Sequence, residues 1–202
     1  MTLYLATSNP GKLRELGALA AAEGFELAAL PGYDRLPRAP EEDASFALNA
    51  LEKALHYSRL REGLLVADDS GLVVEALEGR PGPRSARYAG PQATDADNNR
   101  KLLEELRGRP EAQRAARYVC VLALAERNRV LALFSEACAG RILEAPRGRG
   151  GFGYDPLFFF PPLAKTMAEL DVGEKNRHSH RGKAFRKLLA YLKAPRQGGT
   201  EA

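Results

Sequence analysis

The sequence predicts an α/β fold built around a mixed β-sheet. Its first thirty residues alternate between a β-rich run, a helical pattern and a second β-rich run, which is typical of parallel strands joined by a helix. A later pair of β-rich runs is separated by four polar residues, which predicts an antiparallel hairpin. With 202 residues, 45% of them apolar, the chain can bury a sizeable core, and its composition excludes global disorder.

The first half of the chain supplies three predicted strands and two predicted helices. Residues 2–7 and 25–30 are predicted strands, and between them Pro10 opens a helix with leucines at helical spacing. Residues 45–61 are predicted to form a second helix, and residues 64–67 a short buried strand. The residues that recur at i, i+3 and i+4 spacing along that second helix are Phe46, Asn49, Ala50, Lys53, Ala54 and Tyr57.

The second half contains the hairpin and two more predicted helices. Thr94 is expected to cap a helix over residues 95–107, because two acidic residues occupy its first turn. The hairpin strands are predicted at 115–124 and 130–138, a short aromatic strand at 157–160 and a final helix at 179–192. Residues 79–90 and 146–153 are predicted loops. Neither an internal repeat nor a linker composition divides the chain, which favours one domain.

The net charge of +4 is unevenly distributed. Residues 141–196 contain 12 Lys and Arg against 5 Asp and Glu, whereas the rest contains 18 against 21. This positive region calls for an anionic partner: nucleic acid, a membrane surface or a small polyphosphate. No apolar run approaches the roughly 18 residues of a membrane helix, and the N-terminus lacks the basic start of a secretion signal. Cys120 and Cys138 are expected to be buried free thiols of a cytosolic protein.

The turn after the first strand has the features of a phosphate site. Its sequence, Thr-Ser-Asn-Pro-Gly-Lys over residues 7–12, passes from a strand into a helix. A helix N-terminus offers free N–H groups and a partial positive charge, and Lys12 adds a point charge. An ordinary capped turn would explain the same residues, since the Walker A pattern is absent from the sequence.

Two adjacent carboxylates, Asp68 and Asp69, follow the predicted strand at 64–67. Carboxylate oxygens at a strand end suit Mg²⁺, and ligands often bind at this edge of a sheet. Neighbouring side chains of a strand point to opposite faces, so the two aspartates need not share a role. The acidic residues 41–43 offer a further ligand. A polar turn after the strand, and a solvated acidic loop, are the alternatives.

Residues 148–153 contain a G-x-G-x-x-G pattern, but Pro156 and an aromatic strand follow instead of a helix. This context excludes a dinucleotide-binding fingerprint. We interpret the segment as a loop that presents Phe152 and Tyr154, beside Asp155, to a stacked base. The alternative is that Phe152 belongs to the core.

The segment 174–183 concentrates cationic and imidazole side chains, among them Lys175, His180 and Arg181. Cations at a helix N-terminus oppose the helix dipole, which favours an anionic or carbonyl ligand at this position. His178 and His180 have no third His or Cys nearby, which argues against zinc. A solvated basic helix start is the alternative.

Together these segments resemble the non-canonical purine nucleoside triphosphate pyrophosphatases, the inosine triphosphatase-like family of dITP/XTP pyrophosphatases. The resemblance spans nearly the whole chain and rests on six motifs in the family's order. The motifs are TSNPGK at 7–12, SFALNALEKA at 45–54, ADDSGL at 67–72, GRPGPRSARYAG at 79–90, GGFGYDPLF at 150–158 and SHRGKA at 179–184.

The resemblance implies an elongated mixed β-sheet flanked by helices, with two lobes and a central cleft. It implies a single two-lobed domain over residues 1–195 and a frayed tail over 196–202. It also implies a cytoplasmic homodimer that uses Mg²⁺ to hydrolyse ITP, dITP and XTP to the monophosphate and pyrophosphate. Neither nucleic acid nor a membrane is expected as a partner.

Matched residue by residue, the resemblance implies roles for the motif residues. Asp69 would act as general base, Asp68 would support it, and Lys12 would stabilise the leaving group. Asp69 and Glu41 would bind the metal. The implied substrate-binding residues are Thr7, Ser8, Asn9, Pro10, Gly11, Lys12, Ser70, Phe152, Gly153, Tyr154, Asp155, Lys175, His180 and Arg181.

The sequence departs from the family pattern in two places. Pro40-Glu41-Glu42-Asp43 stands where the family often has two glutamates followed by Thr-Gly, so the acid that binds metal stays open. Leu48 stands where the family has a glutamate. Two alternative functions are a pyrophosphatase for another modified nucleotide and a basic nucleic-acid-binding protein.

Overall fold

The computed structural model describes residues 1–40 and 45–195, which form a mixed sheet flanked by helices. The strands are β1 Thr2–Leu5, β2 Glu26–Ala29, β3 Leu64–Val74, β4 Ala115–Glu126, β5 Arg129–Ile142, β6 Phe158–Phe160 and β7 Lys165–Thr166. The helices are α1 Pro10–Ala22, α2 Phe46–Ser58, α3 Asp95–Glu105, α4 Val172–His178 and α5 His180–Lys193. The predicted α/β class is therefore confirmed.

The sheet has the strand order β2-β1-β3-β4-β5-β6-β7. Strand β1 is parallel to β2 and β3, and the remaining neighbours are antiparallel. The predicted hairpin is β4 and β5, which turn at Arg127 and Asn128, both with positive φ. Such a two-residue turn matches the twist of the strands it joins.

Short polar side chains begin the helices, as the sequence pattern predicts. Thr94 accepts a hydrogen bond from the backbone N–H of Asp97, and the Asp97 carboxylate accepts one in return from the N–H of Thr94. Ser45 and Ser179 cap α2 and α5 in a similar way, each accepting from the backbone N–H three residues on. These bonds satisfy donors that the first turn of a helix leaves unpaired.

Two predictions about the elements were wrong. The strand predicted at 64–67 continues to Val74, so the two aspartates lie inside β3. Pairing with β4 along this whole length overrides the weak strand preference of aspartate, with Asp68 opposite Leu122 and Asp69 opposite Val121. The basic segment at 174–183 is not the start of one helix either. Ser179 ends α4 and caps α5, so these side chains are divided between two helices.

The buried apolar residues form three clusters. One lies between the sheet and helices α1 and α5, and a second covers the opposite face beneath α2. The third surrounds β6 and α3 at the far end of the sheet. The division of the chain into two lobes stays a prediction. Within the described part of the chain, no helix has both the length and the apolar character needed to cross a bilayer.

Helices α4 and α5 meet so closely that the third residue of α5 has to be glycine. A Cβ atom at Gly182 would overlap the carbonyl oxygen of Asn176 in α4. The same first turn carries His180 and Arg181, so this contact also fixes where those side chains lie.

We expect Gly182→Ala to lower the free energy of unfolding by about 1–3 kcal/mol, because the added methyl group forces the two helices apart. Urea denaturation followed by circular dichroism measures this change. The control is Gly17→Ala in α1, where an added Cβ has open space. It should raise stability by about 0.5–1 kcal/mol. Equal effects of the two substitutions would contradict the close approach.

Candidate active site

Asp68 and Asp69 point to opposite faces of β3, because side chains alternate along a strand. Asp68 lies on the side covered by α1 and α5, where it contacts Lys12 and Arg181. Asp69 lies on the side covered by α2, where its Oδ2 accepts a hydrogen bond from Asn49 Nδ2 at 3.1 Å. The two carboxylates therefore have separate surroundings and separate chemistry.

The Asp68 carboxylate is fully buried and saturated with donors. Lys12 Nζ lies 2.5 Å from its Oδ1 and Arg181 Nε 3.0 Å from its Oδ2, while the Ser70 hydroxyl donates to Oδ1 at 2.7 Å. Burial opposes ionisation, but Lys12 and Arg181 outweigh it and hold the pKa of Asp68 well below its usual range. Asp68 is therefore a permanent anion that orients two cations, and it is unsuited to proton transfer.

The Asp69 carboxylate is different, because no cation forms an ion pair with it among the described residues. Burial raises the pKa of Asp69 to about 6, although nearby Lys53 and Lys12 oppose the shift. Asp69 is 8% exposed, against 1% for Asp68, so it is the less deeply buried of the two. A carboxylate with a pKa near neutrality suits a general base that works at physiological pH.

The surroundings of Asp69 also fit a divalent cation. The Oδ1 atom of Asn49, whose amide nitrogen donates to Asp69, is buried and has no hydrogen-bond partner in the described structure. An unpartnered amide oxygen beside a carboxylate is the hard-oxygen environment that Mg²⁺ prefers. The predicted ligand Glu41, with Glu42 and Asp43, lies outside the described residues. Within residues 1–40 and 45–195, no three His, Cys, Asp or Glu side chains cluster as a metal site.

The expectation that α1 presents free N–H groups to a phosphate was wrong for its first turn. The side chain of Asn9 accepts hydrogen bonds from the N–H groups of Gly11 and Lys12, at 2.8 and 3.1 Å. The N–H of Asn9 itself donates to the Thr7 hydroxyl at 3.1 Å, and Pro10 has no N–H. What this turn offers an anion is the Lys12 ammonium group, the Ser8 hydroxyl and the helix dipole.

A buried glutamate in α1 connects the cations of α4 and α5. The two carboxylate oxygens of Glu15 lie 2.6 Å from Lys175 Nζ and 2.8 Å from Arg181 NH1. Lys175 also forms an ion pair with Asp155. Burial favours protonation of Glu15, but Arg181 and Lys175 outweigh it and lower its pKa. These cations therefore belong to an internal network, and the alternative of a solvated basic helix start is excluded for them.

Most of the predicted base-binding residues line one pocket. The lining includes Asn9, Ser70, Phe152, Gly153, Tyr154, Asp155, His180 and Arg181. The Phe152 ring lies over the first turn of α1, where a Cβ at Gly11 would overlap it. The Lys175 ammonium and the Arg181 guanidinium lie 4.8 and 5.2 Å from the centre of that ring. Both cations are thus within the range of a cation–π contact with the ring.

His180, which was predicted to bind the substrate, is a neutral imidazole. Its ring stacks on Tyr118 with 4.7 Å between ring centres, and burial together with the neighbouring Arg181 lowers its pKa well below the usual value. Its Nδ1 atom is buried and has no partner in the described structure. A neutral imidazole offers one donor and one acceptor, so it can contact either a carbonyl or an amine.

The loop that carries Phe152 is tied to α3 and to the turn beyond β3. The backbone N–H of Gly153 donates to Asp95 at 2.6 Å, and its carbonyl oxygen accepts from Asn99 at 2.9 Å. The Tyr154 hydroxyl donates to the carbonyl oxygen of Ser85 at 2.8 Å. These three hydrogen bonds fix the loop at Gly153 and Tyr154 and so restrict the position of Phe152.

Sequence reasoning missed several residues of this site, although a signal existed for some. Asn49 and Lys53 were noted only for their helical spacing in α2, yet Asn49 contacts Asp69 and Lys53 Nζ donates to the carbonyl oxygen of Asp68 at 3.4 Å. Polar residues one turn apart on an apolar face are the signal. Glu15 gave a similar signal in α1, whereas Tyr118 gave none.

Comparison with known proteins agrees with the geometry. A protein-family model described as the Ham1 family matches residues 3–191. The dITP/XTP pyrophosphatase of Geobacillus kaustophilus is 52% identical over 186 residues, which cover 92% of this chain and 91% of that protein. The protein of the same name from a strain of Thermus thermophilus is 49% identical over 197 residues, or 96% of this chain and 94% of the relative.

Solved structures show the same fold. The HAM1 protein of Coxiella burnetii superposes with a TM-score of 0.83 at 38% identity, covering 95% of this chain and 98% of that one. The Ham1 protein of Staphylococcus aureus gives 0.82 at 33% identity, with 96% and 98% covered. The resemblance found in the sequence motifs is confirmed.

Glu15→Gln tests the internal charge network. The change keeps the shape of the side chain but leaves two buried cations short of a partner, so we expect a loss of about 3 kcal/mol in the free energy of unfolding at pH 7. Because the folded-state pKa of Glu15 is lowered, its contribution is present above about pH 4.5 and is lost as pH falls through the lower folded value. Denaturation at several pH values should show the difference from the unaltered protein closing in acid.

The matched control is Glu23→Gln, also at α1 but in an exposed ion pair with Lys193. We expect no measurable change in the unfolding midpoint, because solvent screens this pair. A loss as large as that of Glu15→Gln, or a pH-independent effect at Glu15, would contradict the network.

Proposed function

Since this chain belongs to the Ham1 family, we propose that it hydrolyses the non-canonical purine nucleotides ITP, dITP and XTP to the monophosphate and pyrophosphate. Relatives that are 45–52% identical to this chain over at least 92% of its length carry the name dITP/XTP pyrophosphatase. The structural observation that carries the proposal is Asp69, a carboxylate without an ion pair among the described residues and with a pKa raised to about 6. It lies next to Asp68, an anion in ion pairs with Lys12 and Arg181.

Asp69 is proposed to take a proton from the water that attacks the α-phosphorus. The water's oxygen forms the new P–O bond while the bond from phosphorus to the bridging oxygen of pyrophosphate breaks. Lys12, at the N-terminal end of α1, stabilises the negative charge on the leaving pyrophosphate. Asp68 holds the Lys12 ammonium in place, and Asn49 orients the Asp69 carboxylate.

Mg²⁺ is proposed as the metal, held by Asp69 with Glu41 or a neighbouring acid of residues 42–43. The unpartnered oxygen of Asn49 supports an oxygen-rich site beside Asp69. When bound, the ion supplies charge neutralisation for the triphosphate.

The purine base is proposed to stack on Phe152, with Ser70, Asp155, His180, Arg181 and Lys175 around its edge. Lys175 and Arg181 are cations held rigidly by Glu15, which suits them to a 6-keto oxygen. The 6-amino group of adenine would instead meet donors and stay unpaired, which costs roughly 1–3 kcal/mol per group. Thr7, Ser8, Asn9 and Lys12 remain the proposed contacts of the triphosphate.

A homodimer and a cytoplasmic location are further parts of the proposal. Both cysteines are free and buried, which supports a reducing compartment. Light scattering of the purified protein tests the dimer. The nucleic-acid alternative is weakened, because Lys175 and Arg181 are buried in ion pairs and cannot belong to a surface patch.

A substrate panel with pyrophosphate detection tests the activity. We expect release of pyrophosphate from dITP, ITP and XTP in the presence of Mg²⁺, and little from dATP or modified pyrimidine nucleotides. Faster turnover of a modified pyrimidine nucleotide would favour the alternative pyrophosphatase. No hydrolysis, with salt-sensitive binding to DNA or RNA, would favour the nucleic-acid alternative.

Asp69→Asn should reduce kcat/KM for dITP at least about 100-fold, because an amide cannot accept the proton. The melting temperature should not fall, since burial already disfavours the charged form of Asp69. Circular dichroism melting measured beside the assay separates loss of chemistry from loss of fold. Near-normal turnover would overturn the role of Asp69.

Phe152→Ala should raise KM for dITP about tenfold, because stacking of a base on an aromatic ring is lost. The Mg²⁺ concentration at half-maximal rate should stay unchanged, since Phe152 lies away from the Asp69 carboxylate. Phe134→Ala is the control, because Phe134 packs on Tyr191 between β5 and α5, outside the pocket. A similar KM change in both variants would count against stacking on Phe152.

A further inference from the structure

The proposed function does not explain how the protein would reject dGTP while accepting dITP and XTP. The inference about this rejection rests on the proposed function. Guanine carries the same 6-keto group as hypoxanthine and xanthine, and it differs from them in its 2-amino group. Donors that recognise the 6-keto group therefore cannot reject dGTP. The 2-amino group is disfavoured where it meets no good acceptor, since an unpaired buried donor is costly.

Three backbone carbonyls of the pocket wall already accept hydrogen bonds from protein donors. The carbonyl oxygen of Ser85 accepts from the Tyr154 hydroxyl at 2.8 Å, and that of Ala86 accepts from Asn98 at 3.1 Å. The carbonyl oxygen of Gly153 accepts from Asn99 at 2.9 Å. An incoming amine would have to compete with these bonds.

Of the two carboxylates in the pocket lining, Asp95 is exposed and Asp155 is buried, so Asp155 is the buried acceptor of the pair. Its Oδ2 atom receives Lys175 Nζ and the backbone N–H of Phe152, the latter at 2.9 Å. Its Oδ1 atom receives the hydroxyl of Tyr118 at 3.2 Å. Three of its roughly four lone-pair positions are therefore filled. Within residues 1–40 and 45–195, Oδ1 has no hydrogen-bond donor other than the Tyr118 hydroxyl.

We propose that Tyr118 is a specificity-determining residue, whose hydroxyl donates to Asp155 Oδ1 and so makes this atom a poorer acceptor for the 2-amino group of guanine. The residue lies on β4, in the lining of the pocket beside His180 and Asp155. Burial raises the pKa of Tyr118 well above its usual value, so the hydroxyl keeps its proton and remains a donor.

The ring of Tyr118 has a structural role that its hydroxyl does not share. The ring stacks on His180 and lies 4.4 Å from the ring of Phe158, measured between centres. Phenylalanine at this position keeps both contacts and removes only the donor to Asp155. The substitution Tyr118→Phe therefore separates the two roles.

The test measures kcat/KM of Tyr118→Phe for dITP, XTP, dGTP and dATP by pyrophosphate release. In the unaltered protein, dGTP should be at least about tenfold poorer than dITP. In Tyr118→Phe, we expect the dGTP-to-dITP ratio to rise about tenfold or more through a higher kcat/KM for dGTP. The value for dATP should not rise with it.

Tyr88→Phe is the matched control. Tyr88 is also buried, and its hydroxyl donates to the Glu105 carboxylate at 2.7 Å, but it lies outside the pocket. This variant should keep the dGTP-to-dITP ratio of the unaltered protein. Circular dichroism melting verifies that each variant folds. Tyr118→Leu, which also lacks the hydroxyl, carries the same expectation for the ratio.

An unchanged ratio in Tyr118→Phe would overturn the inference, as would a rise caused only by loss of dITP activity or a rise for dATP alone. An equal rise in Tyr88→Phe would overturn it too. The unaltered protein in the same assay tests the proposed function separately. If it releases no pyrophosphate from dITP, the function fails. If it does and the ratio stays fixed, only the role of Tyr118 fails.

Discussion

A buried chain of alternating charges holds the candidate site together, and the other features of the site depend on it. Each carboxylate of the chain contacts at least one cation, and the two central cations each contact two carboxylates. Burial of an isolated charge would be strongly unfavourable, so these side chains can be buried only as a set. The chain runs through Lys12, Asp68, Arg181, Glu15, Lys175 and Asp155.

These contacts join parts of the protein that are far apart in sequence. Helix α1 contributes Lys12 and Glu15, strand β3 contributes Asp68, and helices α4 and α5 contribute the remaining cations. Asp155 extends the chain to the loop that carries Phe152, because its carboxylate accepts a hydrogen bond from the Phe152 backbone N–H. The phosphate turn and the base pocket are therefore parts of one rigid arrangement, which limits the freedom that substrate binding would otherwise have to remove.

Asp69 is not part of this series of ion pairs, and this separation suits it to act as a general base. The alternation of side chains along β3 directs Asp69 to the α2 side, away from Arg181, so burial dominates its pKa instead of an ion pair.

The excess of positive charge in residues 141–196 is not simply a surface feature in the folded protein. Part of it is neutralised inside the protein by Glu15 and Asp68, which come from the first third of the chain.

The sequence by itself determined the α/β class, the helix cap at Thr94 and the motifs that identify the family, because these depend on local patterns and short spacings. It also predicted the base-binding residues around Phe152. It also indicated that Asp68 and Asp69 could differ. Tertiary structure alone decided which of them is paired, since this depends on the strand pairing that keeps both within β3 and on helices that arrive from either end of the chain. It also decided the use of the N–H groups of α1, the division of the basic segment between α4 and α5, and the contact between Tyr118 and Asp155. Each of these is a contact between residues distant in sequence or a competition among hydrogen-bond partners, and neither leaves a local pattern.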